Sequence, residues 1–424
     1  MIFEIQYVPS EKFNSFVNTS NFNFRMLYLS ADCIIPIEGD PCFGSILAIE
    51  DNGAIEGIYT KSELTASLYE IIHYNGILCP GFVNAHCHLE LSWAKGLISE
   101  GEGLDYFIWQ LEKYRKSVSE TFIRAAIEKA ATEMEQSGIV ATADIVNGNH
   151  TLDFKSKSNH YFHTFIEVFG SNPAHAASIF RNAVSLRSQF EKYLSGEALS
   201  IVPHATYSLS EELFRLTADS AKGKLLSIHH QENKDENLFF KNGNGAIAAR
   251  REAFNPDLPK YNGTGKRPME SIAQYFNPEQ KILLVHNTVT EKQDIDFVQQ
   301  YFENVYWCLC PNANLYIEKQ LPEIDLFRKN NCKITLGTDS LASNHQLSIL
   351  EEIKTIQQYF PHIPLTELLR WSTLNGAELL GLQQKLGSFV KGKKPGVVLI
   401  ENADISTLKL KPETTSRLII PASR

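Results

Sequence analysis

The sequence predicts an α/β protein, a closed (β/α)8 barrel carrying a small β-sandwich assembled from both chain ends. Three observations predict it. From about Gly76 onward, eight short β-branched or apolar runs recur, each bounded by turn residues and followed by a stretch of helical periodicity. The segments before and after this repeat read as strands alone. No glycine-rich dinucleotide or phosphate-loop fingerprint follows any run, so the open sheets that bind such cofactors lose support.

The eight runs cover residues 77–85, 139–145, 161–169, 199–203, 225–228, 282–285, 305–309 and 334–337. Amphipathic stretches such as 125–136, 174–194 and 349–359 lie between them. Ser208-Leu209-Ser210-Glu211 ahead of Leu213 has the form of a capping box opening one of these helices. Eight such units in about 300 residues fit a closed barrel. Strand-like runs at 26–29, 45–49 and 57–59 precede it, and 387–390 and 396–401 follow it. The expected division is therefore 1–75 and 383–424 for the sandwich and 76–382 for the barrel.

Composition narrows the function. Among 424 residues, 40 are Lys or Arg and 49 are Asp or Glu, a net charge of −9 that argues against a phosphate-binding surface and hence against nucleic acid. Apolar residues at 43% and charged residues at 21% describe a chain with a real core. No apolar run approaches the roughly 18 residues of a membrane helix. The start, Met1-Ile2-Phe3-Glu4-Ile5, lacks the basic flank and apolar core of a secretory signal, so the expected location is cytoplasmic. Seven scattered cysteines without a CxxC pair read as reduced thiols.

The histidines carry the chemistry. Active sites of such barrels lie where strands end, so the polar residues closing each run are the informative ones. The first run leads into Pro80-Gly81-Phe82-Val83-Asn84-Ala85-His86-Cys87-His88, and strand alternation puts His86 and His88 on one face with Cys87 on the other. Two such imidazoles can hold one metal ion. The fifth run leads into His229-His230-Gln231-Glu232, the sixth into His286 and the eighth into Thr338-Asp339. Four strand ends thus aim four imidazoles and two carboxylates at one mouth, and chance is a poor explanation.

With PGFVNAHCHLELS at 80–92, HHQE at 229–232, VHNT at 285–288 and GTDSLASN at 337–344, the chain resembles the amidohydrolase superfamily, in its chlorohydrolase and nucleobase-deaminase branch. The resemblance runs on through TLNGAELLGL at 373–382. It implies that His86, His88, His229 and Asp339 are metal ligands, that Glu232 shuttles protons and that His286 polarises the reacting group. It also implies that His204, in the fourth strand, looks toward substrate. Relatives with two metals carry a carboxylated lysine at that strand, whereas this chain has His204 and no lysine nearby, so one divalent ion is expected. Three imidazoles and a carboxylate suit Zn²⁺ or Fe²⁺ better than Mg²⁺ or Ca²⁺. Such a cation brings the pKa of a water from about 15.7 toward 7.

The expected reaction is hydrolytic deamination of an amino-substituted heterocycle, a purine base or an adenosine-type nucleoside such as aminodeoxyfutalosine or S-adenosylhomocysteine. In it Asp339 and Glu232 move protons, and His286 stabilises charge at the tetrahedral carbon. The alternative is hydrolysis of a cyclic amide, or of a ring bearing chloride or an alkylamine, as in imidazolonepropionase or the triazine hydrolases. A scaffold protein is disfavoured because every ligand position is filled.

Four further residues have two readings each. Trp109 either stacks on a flat ring or belongs to a helix core, and Glu90 either touches substrate or caps a loop. Asn314 keeps an amide where many branch members read Pro-x-Ser-Asn, which makes it a substrate-contact candidate. Glu167 either touches substrate or forms an internal ion pair, the second reading being favoured. The basic stretch 240–268 is expected to be a solvated surface more than a carboxylate receptor. The partner in view is a small heterocyclic molecule, and nothing in the sequence argues against a homodimer.

Overall fold

Apolar, β-branched runs are buried on both faces when helices cover a parallel sheet, and such runs dominate the middle of this chain. The computed structural model describes residues 26–64 and 70–423, so the stretch Met1–Ile5 lies outside the described residues. Seven strands come from the two chain ends: β1 (Leu27–Ile34), β2 (Cys42–Phe43), β3 (Ser45–Ile49), β4 (Ile55–Thr60), β5 (Ile71–Pro80), β14 (Val397–Glu401) and β15 (Thr415–Ile420). Between them run β6 (Phe82–Cys87), β7 (Ile139–Val146), β8 (Tyr161–Val168), β9 (Leu199–Pro203), β10 (Leu226–His230), β11 (Lys281–His286), β12 (Asn304–Leu309) and β13 (Ile334–Leu336).

These eight strands form two parallel four-stranded sheets in chain order, β6-β7-β8-β9 and β10-β11-β12-β13. Single parallel bridges connect the sheets at both seams, Ala205 with His229 and Cys87 with Asp339. The His229 amide donates to the His204 carbonyl at 2.8 Å and the Asp339 amide to the His86 carbonyl at 3.1 Å. Both seams therefore lie at the C-terminal strand ends, among the candidate site residues.

The helices follow their apolar spacing. Glu120–Gln136 buries Ile123, Ile127, Ala130, Ala131 and Met134 along one face, and Ser119 caps it by accepting from the Phe122 amide. Ile349–Tyr359 occupies the predicted range. The helix Glu211–Ser220 starts where a cap was expected, but Ser210 accepts from Leu213, while Ser208 Oγ accepts from the Ala205 amide in the preceding turn.

The first run does not form one strand. It divides at Gly81, with β5 in the end sheet and β6 in the parallel sheet. A Cβ at Gly81 would sit 2.4 Å from Val140 Cγ1 and 2.6 Å from the Pro395 carbonyl oxygen, so the two sheets meet where no side chain fits. Residues 387–390 are not a strand either: Gly387 turns at φ 89°, and Phe389 donates its amide to Pro36. The closing strand is β15, half polar and half apolar in sequence and half-buried along most of its length, which lies outside the strand-like runs named above. The end strands form one sheet in the order β15-β14-β5-β1-β3-β4, with β2 on β1, and β14 pairs with β5 so that both chain ends share it. Among the described residues no helix is long and apolar enough to cross a membrane.

Candidate metal centre and active site

The alternation of β6 sends His86 and His88 to one side, with ring centroids 4.8 Å apart. His229, from the end of β10, stands 4.9 Å from His86 and 5.4 Å from His88. Asp339, just past β13, brings Oδ1 to 3.5 Å from His86 Nε2 and 3.6 Å from His88 Nε2. His88 Nε2 and His229 Nε2 face each other at 3.3 Å. All four side chains are buried.

The hydrogen bonds fix which nitrogens are free. His229 Nδ1 lies 2.7 Å from the His204 carbonyl oxygen, which can only accept, so Nδ1 carries the proton and Nε2 presents a lone pair to the cluster. Apart from the approach to Asp339, the fully buried ring of His86 makes no hydrogen bond at either nitrogen. Burial, with the neighbouring imidazoles, lowers His88 to about 3 and His229 well below the usual range, so both are neutral. Burial raises the Asp339 carboxyl, but the facing His86, His88 and His286 rings outweigh it and hold the group ionised. Neutral imidazoles, an ionised carboxylate and unsatisfied buried nitrogens are the chemistry of a divalent-cation cage, and they fit Zn²⁺ or Fe²⁺. The ligand atoms of His86, His88 and Asp339 lie within 4.8 Å of one another, as do those of His86, His229 and His286.

Two further titratable side chains stand beside the cluster. Glu232 Oε1 is 3.7 Å from His286 Nε2. Burial, then the carboxylates of Asp339, Glu318 and Glu236, drives the Glu232 carboxyl well above the usual carboxylate range. Burial lowers His286 to about 3. Two of these residues occupy left-handed backbone, Asp339 at φ 54° and His286 at φ 74°. Such non-glycine conformations persist only where the surroundings enforce them. Ser343 Oγ donates to Asp339 Oδ2, and Asn344 donates to the Thr338 carbonyl at 2.9 Å and to buried Glu352 at 2.8 Å. Beyond His286, Asn287 donates to the Leu284 carbonyl at 2.8 Å and pairs with His230 Nδ1 at 2.9 Å, which places His230 on the face away from the cage.

A cavity of about 500 Å³ opens over this cluster. His88, His204, His229, Glu232, His286 and Asp339 line its floor, and Leu104, Phe107, Ile108, Phe169 and Ile247 form apolar walls. The half-buried ring of His204 lies 4.7 Å from that of His229. Three expected substrate contacts are elsewhere. Trp109 is 49% exposed on the outer face of the helix Leu104–Arg115, against Tyr106 and under the Lys113 ammonium, because helical spacing turns Phe107 and Ile108 inward in its place. Glu90 accepts from the Asn147 amide at 3.1 Å and the Gly148 amide at 3.3 Å, which makes it a loop cap below the cavity. Asn314 is buried against Thr288, 2.5 Å away, with His286 Nδ1 at 3.5 Å, so it braces His286 and does not line the cavity.

Sequence reasoning passed over Asn147 and Tyr207, both of which line the cavity. Applying the strand-end rule to β7 would have found Asn147, which follows Val146 directly. Glu167 also lines it, accepting from Asn147 Nδ2 at 3.0 Å, and burial pushes its carboxyl up to about 7. In the basic stretch, Lys241, Lys260 and Lys266 are exposed, whereas Arg250 and Arg251 reach the cavity wall. Arg250 is held by Asp105 at 2.8 Å.

The sequence profile of the Amidohydrolase family matches residues 77–417. The chain is 26% identical over 334 residues to the aminodeoxyfutalosine deaminase of Nitratiruptor sp., covering 77% of this chain and 79% of that one. It is also 26% identical over 411 residues to the 5-methylthioadenosine/S-adenosylhomocysteine deaminase of Saccharophagus degradans, covering 91% and 85%. In fold it is similar to the crystal structure of Helicobacter pylori aminofutalosine deaminase in complex with methylthio-coformycin, with a TM-score of 0.79 at 19% identity over 93% of this chain and 98% of the other.

Proposed function

Since this chain belongs to the amidohydrolase family, we propose that it is a metal-dependent hydrolytic deaminase of an adenosine-type nucleoside, converting an amino-bearing ring carbon to a carbonyl with release of ammonia. The observation that carries this reading is the buried Glu232 carboxyl, pushed well up by burial and nearby carboxylates and 3.7 Å from His286, beside a cluster of three imidazoles and one carboxylate. His86, His88, His229 and Asp339 would hold one divalent cation, Zn²⁺ or Fe²⁺. When bound, that cation supplies the Lewis acidity that makes water a nucleophile near neutral pH.

The chain's own residues do the rest. Asp339, ionised and held by Ser343, accepts the proton of the attacking water. Glu232 donates its proton to the ring nitrogen beside the reacting carbon; as the carbonyl forms, the hydroxyl proton of the tetrahedral carbon returns to Glu232 and the proton held by Asp339 passes to the departing amine, which leaves as ammonia. His286, set by Asn314 and Asn287, stabilises the oxygen whose charge develops at the tetrahedral carbon. His204 and Glu167 face the part of the substrate beyond the ring. The apolar walls favour a nucleoside with an apolar 5′ substituent over a free base, as do the relatives acting on aminodeoxyfutalosine and methylthioadenosine. The same reading takes 76–382 as one closed (β/α)8 barrel and 1–75 with 383–424 as its small β-sandwich. The two bridged parallel sheets and the shared end sheet support two units of this kind, with the end sheet running on through β5 to Pro80 and the parallel strands starting at Phe82.

Ammonia release is the direct test, with adenine, adenosine, 5′-deoxyadenosine, methylthioadenosine, S-adenosylhomocysteine and aminodeoxyfutalosine as the panel. The expected result is turnover of at least one 5′-modified nucleoside with kcat/KM above about 10⁴ M⁻¹s⁻¹. Silence across all the nucleosides would remove the deaminase reading. On whichever substrate turns over, Trp109→Ala should leave kcat/KM within about threefold of the parent, because a surface change of this kind alters energies by about 0.5 kcal/mol. A tenfold loss would return Trp109 to the substrate site.

A further inference from the structure

Among the described residues Lys155 is the one lysine or arginine that is buried, and it is fully so. It rises from the helix Leu152–Lys157 and places Nζ 2.5 Å from Asp144 Oδ2. The same ammonium donates to Thr164 Oγ1 at 2.9 Å and sits 5.2 Å from the Phe162 ring and 5.5 Å from the Phe190 ring. Asp144, in β7, is also fully buried, and neither residue lines the cavity. A buried ion pair of this kind is weak evidence for stability. Desolvating each ion costs several kcal/mol, and well-packed apolar replacements are often as stable. The pair therefore needs another reason to exist.

The other oxygen of Asp144 supplies one. Asp144 Oδ1 accepts the Leu89 amide at 2.8 Å. Leu89 directly follows His88 and opens the short 3-10 turn Leu89–Ala94, whose N-cap residue His88 gives no side-chain hydrogen bond to it. Without Asp144 that donor would be a buried orphan at the point where the chain leaves β6. Asp144 also pairs with Cys87 across β6 and β7, so one residue grips the segment on both sides of His88.

We infer that Lys155 and Asp144 form a positioning pair for the metal-holding His88: Lys155 fixes the Asp144 carboxylate, and Asp144 fixes the backbone turn from which His88 projects. This rests on the metal-centre reading above, and its working part is the acceptor at Leu89 N. Two double variants separate that acceptor from the charges. Asp144→Asn/Lys155→Met keeps an oxygen for Leu89 N, whereas Asp144→Leu/Lys155→Met fills the space with no acceptor; both remove the two charges together.

Zinc affinity is measured by competition with a chelator, the Co²⁺-loaded protein is examined by visible absorption, and melting establishes folding. The asparagine variant should bind zinc within about threefold of the parent. The leucine variant should fold yet bind zinc about 10–100-fold more weakly, the range for losing an outer partner of a ligand, with an altered Co²⁺ spectrum. Asp144→Ala/Lys155→Met makes the same comparison if leucine prevents folding. A folded acceptor-free variant with parental zinc affinity and spectrum would overturn the inference. A parent that binds neither metal would overturn the metal-centre reading itself.

Discussion

Glu232→Gln is expected to lower kcat by about 10²–10⁴-fold while the bound metal stays at the parent's level. Glutamine keeps the shape of glutamate and can donate a hydrogen bond through its amide, but it cannot release a proton to a ring nitrogen and recover it. The surroundings of Glu232 are built for that exchange. Its carboxyl is buried, pushed well up by burial and nearby carboxylates, and 3.7 Å from His286 Nε2. The substitution leaves His86, His88, His229 and Asp339 themselves unchanged and alters the field at them little, because burial already pushes the Glu232 carboxyl toward its neutral form. Folding should also survive, since no ion pair is broken. Elemental analysis and single-turnover kinetics on one sample therefore check both halves. A variant retaining near-parental kcat would end the proton-transfer role, and one that lost its metal would place Glu232 among the groups that hold it.

The polar ends of the strands made this centre legible in the sequence. Strand periodicity alone separates His86 and His88 from Cys87, and His229 from His230, and the structure keeps both separations. What stayed hidden depends on packing across long sequence distances. Gly81 reads as an ordinary glycine within an apolar run, and only the closeness of Val140 and Pro395 shows why the run must divide there. Trp109 and Phe107 are both aromatic residues of one helix, and which of them faces the cavity depends on where that helix docks. Asn314 has an amide suited to a ligand, but Thr288 and His286 engage it first. Lys155 reads as a surface lysine in a short polar helix, and its burial follows from Asp144 and Thr164 being on neighbouring strands. The strand ends thus marked side chains that the structure brings together, while the residues packed around them were visible only in three dimensions.

His86→Ala should strip the centre of its metal with little harm to the empty fold. In most buried sites, deleting a hydrogen-bonded polar side chain leaves its partner orphaned at a cost of about 1–3 kcal/mol. His86 differs because its ring makes no hydrogen bond beyond the approach to Asp339, so few partners are abandoned. It touches the cluster on several sides, with rings 4.8 Å, 4.9 Å and 5.7 Å away at His88, His229 and His286. If His86 holds the cation as proposed, removing it should weaken binding by more than the 10–100-fold typical of an outer partner, because a donor itself is then deleted. Linkage makes this measurable without turnover. A ligand at 1,000 times its dissociation constant adds about 4.1 kcal/mol to folding stability, so zinc should raise the parent's melting temperature by several degrees. In His86→Ala that rise should shrink or vanish, while the two chelated proteins melt close together. Full zinc retention after gel filtration, with an unchanged melting response, would remove His86 from the ligand set and leave its unpaired nitrogens without a chemical reason.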